Sequence, residues 1–271
     1  MTTTRCASWN ILRGKGVAKT LAIVNQKGGV GKTTTAVNLA AGLALAERPT
    51  LLVDLDPQGN ATTGLGVQKS GLHPTIYHVL LGGEATEKAI RATVVPGLKL
   101  LPADIDLVGA EIELVGIERR EHRLRDVLEP VSASYDYIVI DCPPSLGLLT
   151  INALVAADRV VVPLQCEFYA LEGLAHLLRK TVKLVREKLN PRLDLLGIVL
   201  TMFDGRTSLA LQIRDEVNRY FPGQVFDTVI PRNVRLTEAP SHGRPVMLHD
   251  LKSSGSAAYL ELTREVLNHD Y

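Results

Sequence analysis

Cysteine is scarce. Cys6, Cys142 and Cys166 are the only three in 271 residues, and no two of them form a C-x-x-C pair. That spacing argues against a zinc site, an iron–sulfur cluster or a disulfide framework and fits a reducing cytosol. Each cysteine reads as a small buried hydrophobe. Long apolar runs are missing too: no stretch reaches the eighteen or so residues that a membrane-spanning helix needs. The first nineteen residues carry Arg5, Arg13, Lys15 and Lys19 but no apolar stretch of the secretory kind. An excess of either charge is also lacking. Lys and Arg total 30 against 29 Asp and Glu, a net charge of +1, so any hold on nucleic acid must come from local clusters. There is no internal repeat, low-complexity tract or linker to divide the chain.

What remains is an aliphatic chain, 46% hydrophobic and 22% charged, of a length ordinary for one large α/β domain. Short apolar runs recur: LAIVN (21–25), LLVDLD (51–56), LKLLP (98–102), YIVID (137–141), RVVVPL (159–164), LGIVLTM (196–202) and VFDTVIP (225–231). Most are continuous in Val, Ile and Leu, as strands buried on both faces should be. Helical patterns fall between them, at 33–46, 104–116, 119–129, 146–156, 168–189 and 207–220. The alternation predicts a single-domain α/β fold, a mostly parallel twisted sheet with helices on both faces. The domain is expected over 19–271. Residues 1–18 are expected to be a disordered basic tail or an over-long translation start, with Val17 a plausible true start.

Ligands of such sheets bind beyond the carboxyl ends of the strands. The run QKGGVGKTT (26–34) follows the first strand and opens a helix. It matches the phosphate-loop pattern G-x-x-x-x-G-K-[ST] except that Gln26 stands at the first glycine and a second lysine, Lys27, follows it. Gly28, Gly29, Val30 and Gly31 would bring backbone N–H groups close to phosphates, and the helix start adds favourable partial charge. Lys32 would bridge the β- and γ-phosphates, the Thr33 hydroxyl would ligate Mg²⁺, and Thr34 continues the loop. Asp54 and Asp56 end the second strand. Asp141 ends another, ahead of Pro143 and Pro144, where an aspartate can hold Mg²⁺ through water. An aspartate at a strand end is more often a turn or cap residue. Two such loops beside a phosphate loop favour the functional reading.

Five spaced motifs, KGGVGKTT, DLDPQGNATTGLG, IVIDCPPSLGLLTINAL, QCEFYALEGL and VIPRNVRLTEAPSHGRP, together closely resemble the ParA/Soj type of chromosome-partitioning ATPase. The similarity runs from about Lys19 to the C-terminus. The resemblance implies a P-loop NTPase fold of the deviant Walker A class, whose mark is the early lysine, here Lys27. In that class two subunits sandwich two ATP molecules, and Lys27 of each would reach the phosphates held by its partner. By the same resemblance Asp56 positions the attacking water, and Asp54, Asp56 and Asp141 lie around Mg²⁺ through water, with Thr33 the direct ligand. Pro231 and Asn233 would line the adenine pocket, and Arg206 and Arg235 would hold duplex DNA without sequence preference. ATP and Mg²⁺ are the expected cofactors. Expected partners are a ParB/Spo0J-type centromere-binding protein that stimulates slow hydrolysis, duplex DNA and a second copy of the chain. The expected place is the cytoplasm, at the nucleoid.

The residues supply a basic surface independently. HLLRKTVKLVREKLNPR (176–192) has six Lys and Arg against one Glu, and Arg179, Lys183 and Arg186 share a helical face opposite Leu178, Val182, Val185 and Leu189. No recognition helix is visible, so phosphate contacts without base readout are expected. A division-site regulator of the MinD kind would end in a basic amphipathic membrane helix. This chain ends YLELTREVLNHDY. A nitrogenase-reductase-like protein would need paired cysteines, and an operator-binding partition ATPase an N-terminal helix-turn-helix. A scaffold that binds ATP without turning it over is the alternative of a different class, and Lys27 and Asp56 argue against it.

Overall fold

In the computed structural model the described residues are 17–167 and 170–269. The segment before Val17, for which a basic tail is expected, lies outside them. In chain order the elements are β1 Lys19–Ile23, α1 Lys32–Leu45, β2 Thr50–Asp54, α2 Asn60–Gly64, α3 Ile76–Leu80, α4 Thr86–Ala89, β3 Arg91–Ala92, β4 Leu98–Leu101, α5 Leu107–Glu113, α6 Arg123–Ser132, β5 Tyr137–Asp141, α7 Leu148–Ala156 and β6 Arg159–Gln165. They continue with α8 Ala170–His176, α9 Lys183–Lys188, β7 Asp194–Phe203, α10 Ser208–Tyr220, β8 Val225–Pro231, α11 Val234–Glu238, α12 Val246–His249 and α13 Ser254–His269.

The eight strands form one sheet in the order β3-β4-β2-β5-β1-β6-β7-β8. Every pairing is parallel except β3 with β4. Because side chains alternate across a strand, β1 serves two layers at once. Leu21 and Ile23 pack with α1 and α13, through Leu39, Leu43 and Leu262. Ala22 and Val24 pack on the other side, with Leu149 of α7, Leu174 of α8 and Val217 of α10. Burial on both faces is why the strands are continuous in aliphatic residues. Each fully buried Leu or Ile contributes about 1.5–3 kcal/mol.

Register brings the candidate chemistry to one edge. Ile23 pairs with Asp141, and Asp54 pairs with Asp141 from the other side, so β1, β2 and β5 end level. The loops that follow these three strands therefore open together.

The sequence pattern anticipates seven of the strands, with ends differing by one or two residues at most positions. It does not anticipate β3, a two-residue edge pairing too short to show alternation. The helix expected at 104–116 is α5 followed by a 3₁₀ turn at Leu114–Gly116. The one expected at 119–129 opens with a 3₁₀ turn and continues as α6 through Pro130. Of the helix expected at 168–189, Phe168 and Tyr169 lie outside the described residues. The rest is α8 and α9 joined by a π-helical stretch at Leu177–Val182. Arg179, Lys183 and Arg186 are exposed there and Val182 and Val185 buried, as the pattern requires. The short helices α2–α4, α11 and α12 have too few turns to establish a period.

Candidate nucleotide-binding site

The loop between β1 and α1 is shaped by its glycines and anchored from below. Gly29 and Gly31 have φ of 76° and 84°, the left-handed region that side chains disfavour, and α1 begins directly after Gly31. Asn25 holds the entry: its Nδ2 donates to Pro163 O at 2.7 Å, and its Oδ1 accepts from Lys27 N at 3.0 Å. The exit is held by Thr201 on β7, whose hydroxyl donates to Val30 O at 2.8 Å. Val30 is buried, while Gly28 and Gly29 are exposed above it. Thr33 and Thr34 are half-buried in the first turn of α1.

The two lysines of this loop go different ways. Lys32 is 6% exposed, and its Nζ donates to Lys27 O at 2.8 Å, folded under the loop. Burial lowers its pKa below the ordinary lysine value, opposed by the negative charges of Asp141 and Asp56. Lys27 points outward. Its ammonium is half-exposed and pairs with Glu167 at the end of β6.

The aspartates also divide. Both carboxylate oxygens of Asp141 are buried without a hydrogen bond of normal geometry, although the Thr33 hydroxyl is near enough to favour the ionised form. Burial, reinforced by Asp54, pushes the Asp141 pKa well above the ordinary carboxylate value. A buried carboxylate with idle oxygens beside a threonine hydroxyl fits a hard divalent cation, which takes oxygen ligands. Asp56 is 7% exposed, and its Oδ1 accepts from Gln58 N at 2.9 Å.

Asp54 behaves otherwise than a residue around a metal would. Its Oδ2 accepts both the N–H and the hydroxyl of Thr62, each at 2.7 Å, and its Oδ1 accepts from Asp56 N at 3.3 Å. Burial raises its pKa to about 6 against these hydrogen bonds. It is a clamp that fixes α2 and the Asp56 loop. Thr62 is the residue that sequence reasoning missed; it also accepts from Ala103 N at 3.0 Å, tying the β2 and β4 loops together. The only signal was its place in NATT, close behind the aspartates.

Farther along the same edge, Pro231 ends β8 opposite Phe203. Asn233 caps α11: its Oδ1 accepts from Arg235 N at 2.8 Å, and its Nδ2 donates to Ser254 Oγ at 2.7 Å. An adenine contact from Asn233 would have to share these groups. Both arginines expected to hold DNA are exposed but paired. Arg206 makes a two-point contact with Asp204 at 2.7 and 2.8 Å, which pulls the Asp204 pKa down to about 2. Arg235 lies between Glu238 at 2.7 Å and Asp250 at 3.3 Å. On the basic helix, Lys183 pairs with Glu187 and Arg186 with Asp194.

A parallel sheet, a glycine loop leading into α1 and two aspartate loops at its carboxyl edge define a P-loop nucleotide-binding protein. Residues 18–195 match the family profile described as "AAA domain". The chain is 56% identical over 254 residues to the chromosome partitioning protein ParA of Myxococcus xanthus, covering 94% of this chain and 89% of that protein. It is also 56% identical over 250 residues to the sporulation initiation inhibitor protein Soj of Bacillus subtilis, covering 92% and 98%. The chain belongs to the ParA/Soj family of chromosome-partitioning ATPases. Among solved structures it resembles one named cobyrinic acid a,c-diamide synthase of Mycobacterium smegmatis, with bound ATP analogue and magnesium. That match has 40% identity, a TM-score of 0.83 and coverage of 93% of this chain and 96% of that one.

Proposed function

We propose that this chain is an ATP-dependent DNA-partitioning protein that works as a timed clamp. Two copies sandwich two ATP molecules, the dimer holds duplex DNA without sequence preference, and slow hydrolysis stimulated by a ParB-type partner ends the cycle. The observation that carries this reading is the divergence of the two lysines. Lys32 is buried under its own loop, whereas Lys27 stands half-exposed at the rim, where a second subunit can be met. A loop serving one nucleotide in a lone subunit has no use for the outward lysine.

Each residue then has a task. Backbone N–H groups of Gly28–Thr34 and the ammonium of Lys32 bind the phosphates, and the Asp141 and Asp56 carboxylates oppose the fall that burial imposes on the Lys32 pKa. Thr33 and Asp141 would hold the magnesium ion, with Asp56 nearby, the aspartates acting through water. The ion would supply neutralisation of the β- and γ-phosphate oxygens. Asp56 orients and polarises the attacking water with the carboxylate oxygen not engaged by Gln58. Lys27 of the opposite subunit adds positive charge where the leaving phosphate group accumulates negative charge. Pro231 and Asn233 border the base. Arg206 and Arg235 exchange their carboxylate partners for DNA phosphates.

The test is ATP turnover with and without duplex DNA and the cognate ParB-type protein. Slow basal turnover that rises when both are present is expected. Turnover indifferent to both would favour a different role for the same site.

A further inference from the structure

The chain turns sharply after Asp56. Gly59 N donates to Asp56 O at 2.8 Å, and Gln58 N donates to the Asp56 carboxylate, at Oδ1, over 2.9 Å. The second of these bonds decides which carboxylate oxygen is engaged and which is left for a water. The aim of Asp56 therefore depends on how firmly the Gln58 backbone is held.

Lys69 holds it from outside. Its Nζ donates to Gln58 O at 2.6 Å. Its stem lies across Gly59, where an added Cβ would sit 2.8 Å from Lys69 Cδ and 2.9 Å from Ala103 O. Gly59 also has φ of 59°, in the left-handed region, so backbone shape and the passing stem both call for glycine there. Lys69 is in no ion pair among the described residues, although Asp104 and Asp106 border the same cavity of about 570 Å³. An ammonium that bonds one backbone carbonyl with two carboxylates at hand serves geometry more than charge balance.

The backbone that carries Lys69 is itself tied down. Val67 N donates to Thr62 O at 3.2 Å, two residues before the lysine, and Leu72 N donates to Lys69 O at 3.2 Å, three residues after it. Thr62 is the residue that grips Asp54. The segment from Asp54 to Lys69 thus closes on itself, with the Asp54–Thr62 clamp at its base and the Lys69–Gln58 bond across its tip. Such support matters because a reacting group displaced by about 1 Å can lose about 100-fold in rate.

We infer that Lys69 is a positioning residue for ATP hydrolysis: it fixes the Gln58 backbone and, through it, the Asp56 carboxylate, an inference that rests on the role proposed for Asp56. Lys69→Met tests it, because methionine keeps an apolar stem over Gly59 and removes only the ammonium. In the nucleotide-free chain, amide exchange at Gln58 and Gly59 should quicken by about fivefold or more, while exchange in α1 stays as it was. In steady-state ATP turnover with duplex DNA, kcat should fall by about three- to tenfold with KM unchanged, the sign of an interaction that matters in the transition state. ATP-dependent dimer formation should be kept. Lys69→Arg, which can still donate to Gln58 O, should restore both exchange and kcat. Unchanged exchange at Gln58, unchanged kcat, or a raised KM with kcat intact would each overturn the inference. Asp56→Ala is measured alongside. If it turns ATP over like the parent, the role given to Asp56 has failed; an inactive Asp56→Ala beside a fully active Lys69→Met overturns the role of Lys69 alone.

Discussion

In the proposed cycle Lys27, Lys32 and Asp56 act at different points, and single substitutions should separate them. Lys32→Ala removes a charged group from the phosphates and should weaken ATP binding by about 10- to 100-fold in a nucleotide titration, since hydrogen bonds to charged groups are worth about 1.5–3 kcal/mol. Lys27→Ala should leave that affinity nearly unchanged. The Lys27–Glu167 pair is about half exposed on both sides, so it contributes under about 1 kcal/mol and is readily given up when another partner arrives. Thr62 shows the opposite behaviour. Thr62→Val strips the buried Asp54 carboxylate of its hydroxyl donor and should cost about 1–3 kcal/mol in urea unfolding, with Thr62→Ser restoring most of it. A Thr62→Val protein as stable as the parent would remove the clamp from this account. The phosphate loop was legible in the sequence because its chemistry is written in nine consecutive residues. The Asp54–Thr62 clamp was not, because strand end and helix meet only through a fold-dependent turn. The partners of Arg206 and Arg235 were nearer the surface of the text: Asp204 lies two residues before one, and Glu238 three after the other.

At the scale of elements, α13 is a structural cover. Its Tyr259, Leu262 and Val266 are buried against α1 and β8, and the Tyr259 hydroxyl meets Thr35 Oγ1 at 3.1 Å. The sequence pattern shows its amphipathic spacing only weakly, because Gly255, Ser256 and Thr263 occupy buried positions where a larger apolar residue would mark the face. Those small residues reflect close approach. A Cβ at Gly42 of α1 would run into the Thr263 hydroxyl. Gly42→Ala gains about 1 kcal/mol of helix propensity but overpacks this contact, so a net loss of about 1–2 kcal/mol is expected by thermal unfolding. A rise in melting temperature would mean that the two helices can part without penalty. The segment around α5 was hidden for a related reason: apolar spacing announces a helix, and only the folded neighbours reveal that Leu107, Ala110 and Leu114 are buried while Ile105, Val108, Ile112 and Val115 stay exposed.

For the whole molecule the balance of charge matters. With a net charge of +1, a single copy offers DNA little attraction, and its two candidate arginines are already paired with carboxylates. The proposed dimer would present both arginines twice. DNA binding should therefore require ATP and weaken with salt at a log–log slope of about −0.9 per phosphate neutralised. Arg206→Ala or Arg235→Ala should flatten that slope by about one to two, according to whether one or both copies engage, with ATP affinity unchanged. Equal binding by the ADP-loaded protein would contradict the clamp. No helix among the described residues is long and apolar enough to cross a membrane. The central claim is that ATP is the bond between two copies and its hydrolysis the release. Sedimentation velocity at saturating Mg-ATP tests it most directly. The parent protein should pass transiently through a dimer, Asp56→Ala should accumulate as a stable dimer, and Lys27→Ala should stay monomeric with ATP bound. An Asp56→Ala protein that remains monomeric at saturating ATP, or a Lys27→Ala protein that dimerises like the parent, would contradict it.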